Sequence, residues 1–135
     1  MLTHPTRLYT IFIGVVLTLQ GASTLAFRLY PPLDNAFPLL LELTKMIPTH
    51  SLLHLGTGLI ALWVYFKGGL QGSFWFAVLF GLFYLGLAIV GHVTGSQLGL
   101  GLYPFDHPFH VLLGGPGLLA AAIEYYRSRA YRASA

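Results

Sequence analysis

Four stretches of this chain are apolar almost throughout, and each is close to the ~20 residues that a helix needs to cross the hydrocarbon core of a bilayer. They run from Leu8 to Phe27, Pro48 to Phe66, Phe74 to Val93 and Phe109 to Tyr126. The pattern predicts an all-α membrane protein, a single four-helix transmembrane domain over residues 1–135. Pro48 and Pro108 stand where a helix start tolerates proline. Lys67, Gly68 and Gly69 close the second stretch, so the second and third spans are expected to form a tight antiparallel hairpin. The first stretch ends in small residues (Ala22, Ser23, Ala26), as a secretory leader does. Its apolar length exceeds the roughly 7–15-residue core of a leader, and it is read as a retained span.

Polar residues inside the spans follow a helical period. Positions 50, 54, 58, 61 and 65 share one face of the second span, and 106, 110, 114, 117, 121 and 124 share one face of the fourth. In one register His54 falls on His110, Gly58 on Gly114, Ala61 on Gly117, Leu62 on Leu118 and His50 on Asp106. The first and third spans align through Gly14 and Gly81. The expectation is two repeated helical hairpins about a pseudo-twofold axis along the membrane normal. Membrane helices pack through small residues and turn polar ones inward, so the second and fourth spans are expected to be the inner pair, Gly stripes in contact. Pro116 among Gly114, Gly115 and Gly117 predicts a kink in the fourth span.

Composition agrees with burial in lipid: 56% of residues are hydrophobic and 8% charged, against about 25% charged in a soluble domain. The seven Lys and Arg and four Asp and Glu sit near span ends, which indicates topology and argues against nucleic acid as a partner. Arg7, Lys67, Arg127, Arg129 and Arg132 fall on one side, Arg28 and Lys45 on the other, so both termini are expected in the cytoplasm. Trp63, Tyr65, Trp75, Tyr125 and Tyr126 gather near that side, as an aromatic belt does. The first outer loop, Leu29 to Ile47, is long. Its segment Pro38 to Met46 reads equally well as an interfacial helix or as an ordinary connection. With no cysteine, thiolate metal sites and disulfides are absent.

The unusual chemistry is histidine. His4 lies in the N-terminal tail and is given no specific role, whereas His50, His54, His92, His107 and His110 all fall at the outer ends of the last three spans, with Asp106 beside them. Ionisable groups at membrane depth raise a functional hypothesis by default. The bland alternative is that the imidazoles hydrogen-bond headgroups, water and loop carbonyls. One sharper reading is a site for zinc or another divalent metal built from His50, His54, His107, His110 and Asp106. A second is a haem or chlorophyll held by His54 and His110 across the pseudo-twofold axis. A third is a proton or quinone site.

The segments THSLLHLGTGLIAL (Thr49 to Leu62) and FDHPFHVLLGGPGLLA (Phe105 to Ala120) resemble an uncharacterised family of small four-span bacterial membrane proteins, a domain of unknown function. The resemblance rests on the His-x-x-x-Gly elements and implies a bacterial inner membrane, or a photosynthetic one, and no established activity. Membrane diiron enzymes share His-x-x-x-His and His-x-x-His boxes, but they need a larger histidine set than the five gathered here. No serine–histidine–acid or phosphate-loop pattern occurs. The chain is therefore expected to be non-enzymatic, either an accessory subunit of a larger membrane complex or an autonomous bundle. Its partners would be the lipid bilayer and other membrane subunits. The alternatives are a cofactor-binding protein using the histidines and a membrane-embedded metalloenzyme.

Overall fold

The computed structural model describes residues 4–36, 46–95 and 98–133. Among these residues the structure is all-helical, with four long helices and one short one: α1 (Pro5–Leu29), α2 (Pro31–Ala36), α3 (Pro48–Lys67), α4 (Gly69–Thr94) and α5 (Asp106–Ala133). Pro5 opens α1 and Pro48 opens α3, where the missing N–H costs nothing. Pro31 and Pro32 end α1 and start α2. α3 and α4 meet at Gly68, whose N–H caps Val64 and whose carbonyl receives the N–H of Gly72, while Gly69 turns the chain at φ +61°. The segment weighed as an interfacial helix, Pro38 to Met46, lies outside the described residues except for Met46, which is buried. α5 begins at Asp106 and runs to Ala133, beyond the predicted span at both ends, and continues through Pro116 on its exposed face.

α1 and α4 are long and apolar enough to cross a membrane, with mean hydropathy 1.7 and 2.2. By the same measure α3 and α5 fall short among the described residues, because α3 carries two histidines and α5 a charged C-terminal third.

The close packing is pairwise. A Cβ on Gly58 would stand 2.5 Å from the Thr18 backbone nitrogen, and one on Gly21 would stand 2.5 Å from that of Leu55, so only glycine lets α1 and α3 approach this closely. α4 and α5 use the same device, with Gly81 and Gly114 each within 3 Å of the other's carbonyl oxygen by the same construction. α3 and α5, expected as the inner pair with their Gly stripes in contact, are therefore not packed on each other. No Cα of α3 lies within 8 Å of one in α5 among the described residues. Each Gly stripe is taken up by the preceding long helix of its own half, Gly58 by Leu17 and Thr18 of α1 and Gly114 by Gly81, Tyr84 and Leu85 of α4.

Corresponding contacts recur in the two pairs of helices. Leu62 fills the notch of Gly14 and Leu118 fills that of Gly81, with the added Cβ meeting the leucine Cδ2 at 2.8 Å in both halves. Gly58 lies against Leu17 and Thr18, and Gly114 against the equivalent Tyr84 and Leu85. The halves meet through α1, which touches α3, α4 and α5. Tyr9 crosses from α1 into the notch of Gly117 and donates to the Leu113 carbonyl at 2.6 Å. Ile13, Leu17, Ala61, Ala77, Phe80, Tyr84 and Leu113 complete the core. At the end holding both termini, His4 Nδ1 and Glu124 Oε1 are 2.8 Å apart, Thr6 donates to the same carboxylate, and Arg7 donates to the Tyr65 carbonyl. His4, given no role by sequence, thus fastens the tail to α5.

Candidate metal centre

α3 and α5 stand too far apart for backbone contact, and three imidazoles fill the space between them. His50 and His54 lie one turn apart on the inner face of α3, and His110 projects from the first turns of α5. All three are at most 1% exposed. Their ring centroids are separated by 4.6 Å (His50–His54), 5.6 Å (His50–His110) and 6.2 Å (His54–His110). One ligating nitrogen from each can be chosen so that all lie within 4.8 Å of one another. Nitrogens bound to a tetrahedral zinc at about 2.0–2.1 Å sit roughly 3.4 Å apart, so modest ring rotations close the triad on an ion.

What distinguishes the triad from ordinary core histidines is its hydrogen bonding. Both nitrogens of His50, both of His110 and Nε2 of His54 are buried without a protein partner. A buried polar group left unpaired costs about 1–3 kcal/mol, and native interiors tolerate few of them. Five of the six nitrogens in one cluster lack a partner, and each neutral ring holds one lone pair that can meet something other than protein. The sixth nitrogen, His54 Nδ1, lies 3.1 Å from Gln20 Oε1 on α1. The amide oxygen accepts only, so Nδ1 carries the proton and Nε2 presents its lone pair to the cluster. This outer partner of a ligating histidine is what metal sites use to fix ring and tautomer. Tyr84 lies against the triad, its ring 5.1 Å from that of His110 and 6.0 Å from that of His54, stacked on Phe80 and with its hydroxyl 3.4 Å from Thr57 Oγ1.

The other residues singled out by sequence border the triad but are not among its three converging ligands. Asp106 is buried at the start of α5, where Oδ2 accepts the Tyr103 N–H at 2.7 Å. His107 points toward α4, packed against Gly91, with its ring 5.9 Å from that of His92. The His50 ring lies close to both rings named for a tetrapyrrole, those of His54 and His110. Gln20 and Tyr84 escaped sequence reasoning, since a lone polar residue in an apolar span acquires its role only from the rotation of its helix. Comparison with protein families, curated proteins and solved structures finds no match for this chain.

Proposed function

We propose that this chain is a four-span integral membrane protein whose bundle holds a transition metal ion on His50, His54 and His110. The observation that carries this reading is the meeting of three buried imidazoles between α3 and α5, each able to offer one nitrogen to a common point, with five of their six ring nitrogens lacking a protein partner. Neutral imidazole suits zinc, copper, iron and nickel, and no thiolate competes in a chain without cysteine. Four crossings are supported by the surface of the two less apolar helices. Leu52, Leu59, Ile60 and Trp63 on α3, and Leu112, Leu119 and Ile123 on α5, are exposed alongside the two more apolar helices. A bilayer that takes α1 and α4 would cover these faces as well. Arg7, Lys67, Arg127, Arg129 and Arg132 at one end favour an orientation with both termini in the cytoplasm, which in a bacterial inner membrane would turn the triad toward the outer face. The role that accompanies such a site is non-enzymatic, a metal-holding accessory subunit whose exposed apolar faces meet lipid or partner helices.

Elemental analysis and absorption spectroscopy of the detergent-purified protein, stripped and then reconstituted with zinc, copper, cobalt or nickel, test this. One tightly held equivalent is expected, with affinity reduced at least about tenfold in His54→Ala and His110→Ala, as for loss of a metal-site partner, and unchanged in His4→Ala. Wild-type protein that retains none of these metals would overturn the reading, and a Soret band would replace it with a tetrapyrrole.

A further inference from the structure

The two halves of the bundle repeat closely until the outer end, where they part company. In the register that lays Gly14 on Gly81 and His54 on His110, Thr24 corresponds to Gly91 and Ser51 to His107. In the first half the Thr24 and Ser51 hydroxyls bond to each other at 2.9 Å, and both residues are fully buried. That corner is closed and satisfied. The second half replaces it with a glycine and an imidazole. A Cβ on Gly91 would stand 2.6 Å from His107 Cε1 and 3.0 Å from its Nδ1, so the missing side chain is what makes room for the ring. His107 Nδ1 is buried there with no protein partner. Beside it, His92 projects from α4 on the exposed surface, and the two rings edge a cavity of about 280 Å³ lined by Ala88, Ile89, His92, His107, Pro108 and Val111. Two imidazoles with centroids 5.9 Å apart are near the separation of two ligands on one ion. His107 is three residues before His110, so the open pair and the buried triad are adjacent on α5.

We propose that His92 and His107 form a second, open metal-docking site that receives the ion from outside and passes it to the triad. The proposal rests on the triad's being a metal site. Its ligands are two neutral imidazoles, with water completing the shell of a divalent transition metal. A pair binds more weakly than a triad, as a relay position requires. The ion moves without redox change, exchanging water for imidazole at each step.

The test uses the full chain in detergent, stripped of metal and titrated with Co²⁺, whose visible bands report imidazole coordination. Wild type should show a tight equivalent and a second, weaker one. His92→Ala and His107→Asn should each remove the weak equivalent and slow filling of the tight one, followed by stopped-flow absorbance, at least about tenfold. His54→Ala should lose the tight class and keep the weak one. A single class of site in wild type, or filling at the wild-type rate in His92→Ala, would overturn the relay while leaving the triad standing. Absence of the tight class from wild type would instead overturn the triad. His92 is exposed, so its replacement keeps the test decisive even where His107→Asn fails to fold.

Discussion

Gly58→Ala is expected to destabilise the bundle by about 2–3 kcal/mol, the upper part of the range for overpacking a close-packed core. The added methyl would lie 2.5 Å from the Thr18 backbone nitrogen and 3.0 Å from the Leu17 carbonyl carbon, and backbone cannot swing aside as a side chain can. α1 and α3 must therefore separate along the interface. Gly114→Ala meets the Gly81 carbonyl oxygen at 2.8 Å and should behave alike in the other half. Gly56→Ala is the contrasting case. Nothing lies within 4 Å of its Cβ, and alanine is better than glycine in a helix by about 1 kcal/mol, so this variant should be unchanged or more stable. Unfolding in a denaturing detergent titration, with the three variants side by side, checks the ranking. Equal effects of Gly56→Ala and Gly58→Ala would mean that the glycine contacts do not set the helix spacing.

A comparably large effect is expected from metal. An ion that binds the folded chain alone stabilises it by about 4 kcal/mol at a free concentration a thousand times its dissociation constant, so the thermal midpoint of stripped protein should climb steeply on adding metal. His110→Leu should separate the two sides of that balance. Both nitrogens of His110 are buried and unpartnered, and leucine of similar size leaves none to satisfy. The metal-free variant should be as stable as metal-free wild type or more so by about 1 kcal/mol, and should gain nothing when metal is added. A clear loss of stability in the metal-free variant would show that the imidazole is already satisfied without an ion.

Much of the candidate site was legible because helical spacing is a local property. The i, i+4 pair of His50 and His54, and the register that sets His54 on His110, gather these residues at the outer ends of their helices from spacing alone, with His107 and Asp106 as equal candidates. Partner choice was not legible. Gly58 and Gly114 signal a close approach but not to what, and the preference of Gly58 for Thr18 is decided by which backbone presents a complementary groove. The fate of His107 illustrates the same limit. Three residues from His110, it reads as a fifth ligand, yet the absent side chain of Gly91, on another helix, is what draws it aside. Gln20 acquires its meaning from His54 across the α1–α3 contact, a pairing set by packing and not by spacing.

Mechanically, the joint at Gly68 makes the molecule a pair of tongs. One arm is α3 clasped to α1, the other α4 clasped to α5, and a single glycine links them at the end where Arg7 and Glu124 also tie down the N-terminal turn. At the opposite tip the arms meet again: the Thr49 hydroxyl donates to the Gly99 carbonyl, Ile47 packs beside Gly101, and α3 and α5 face each other across three imidazoles. An ion seated there, as proposed, would add a bridge from one arm to the other.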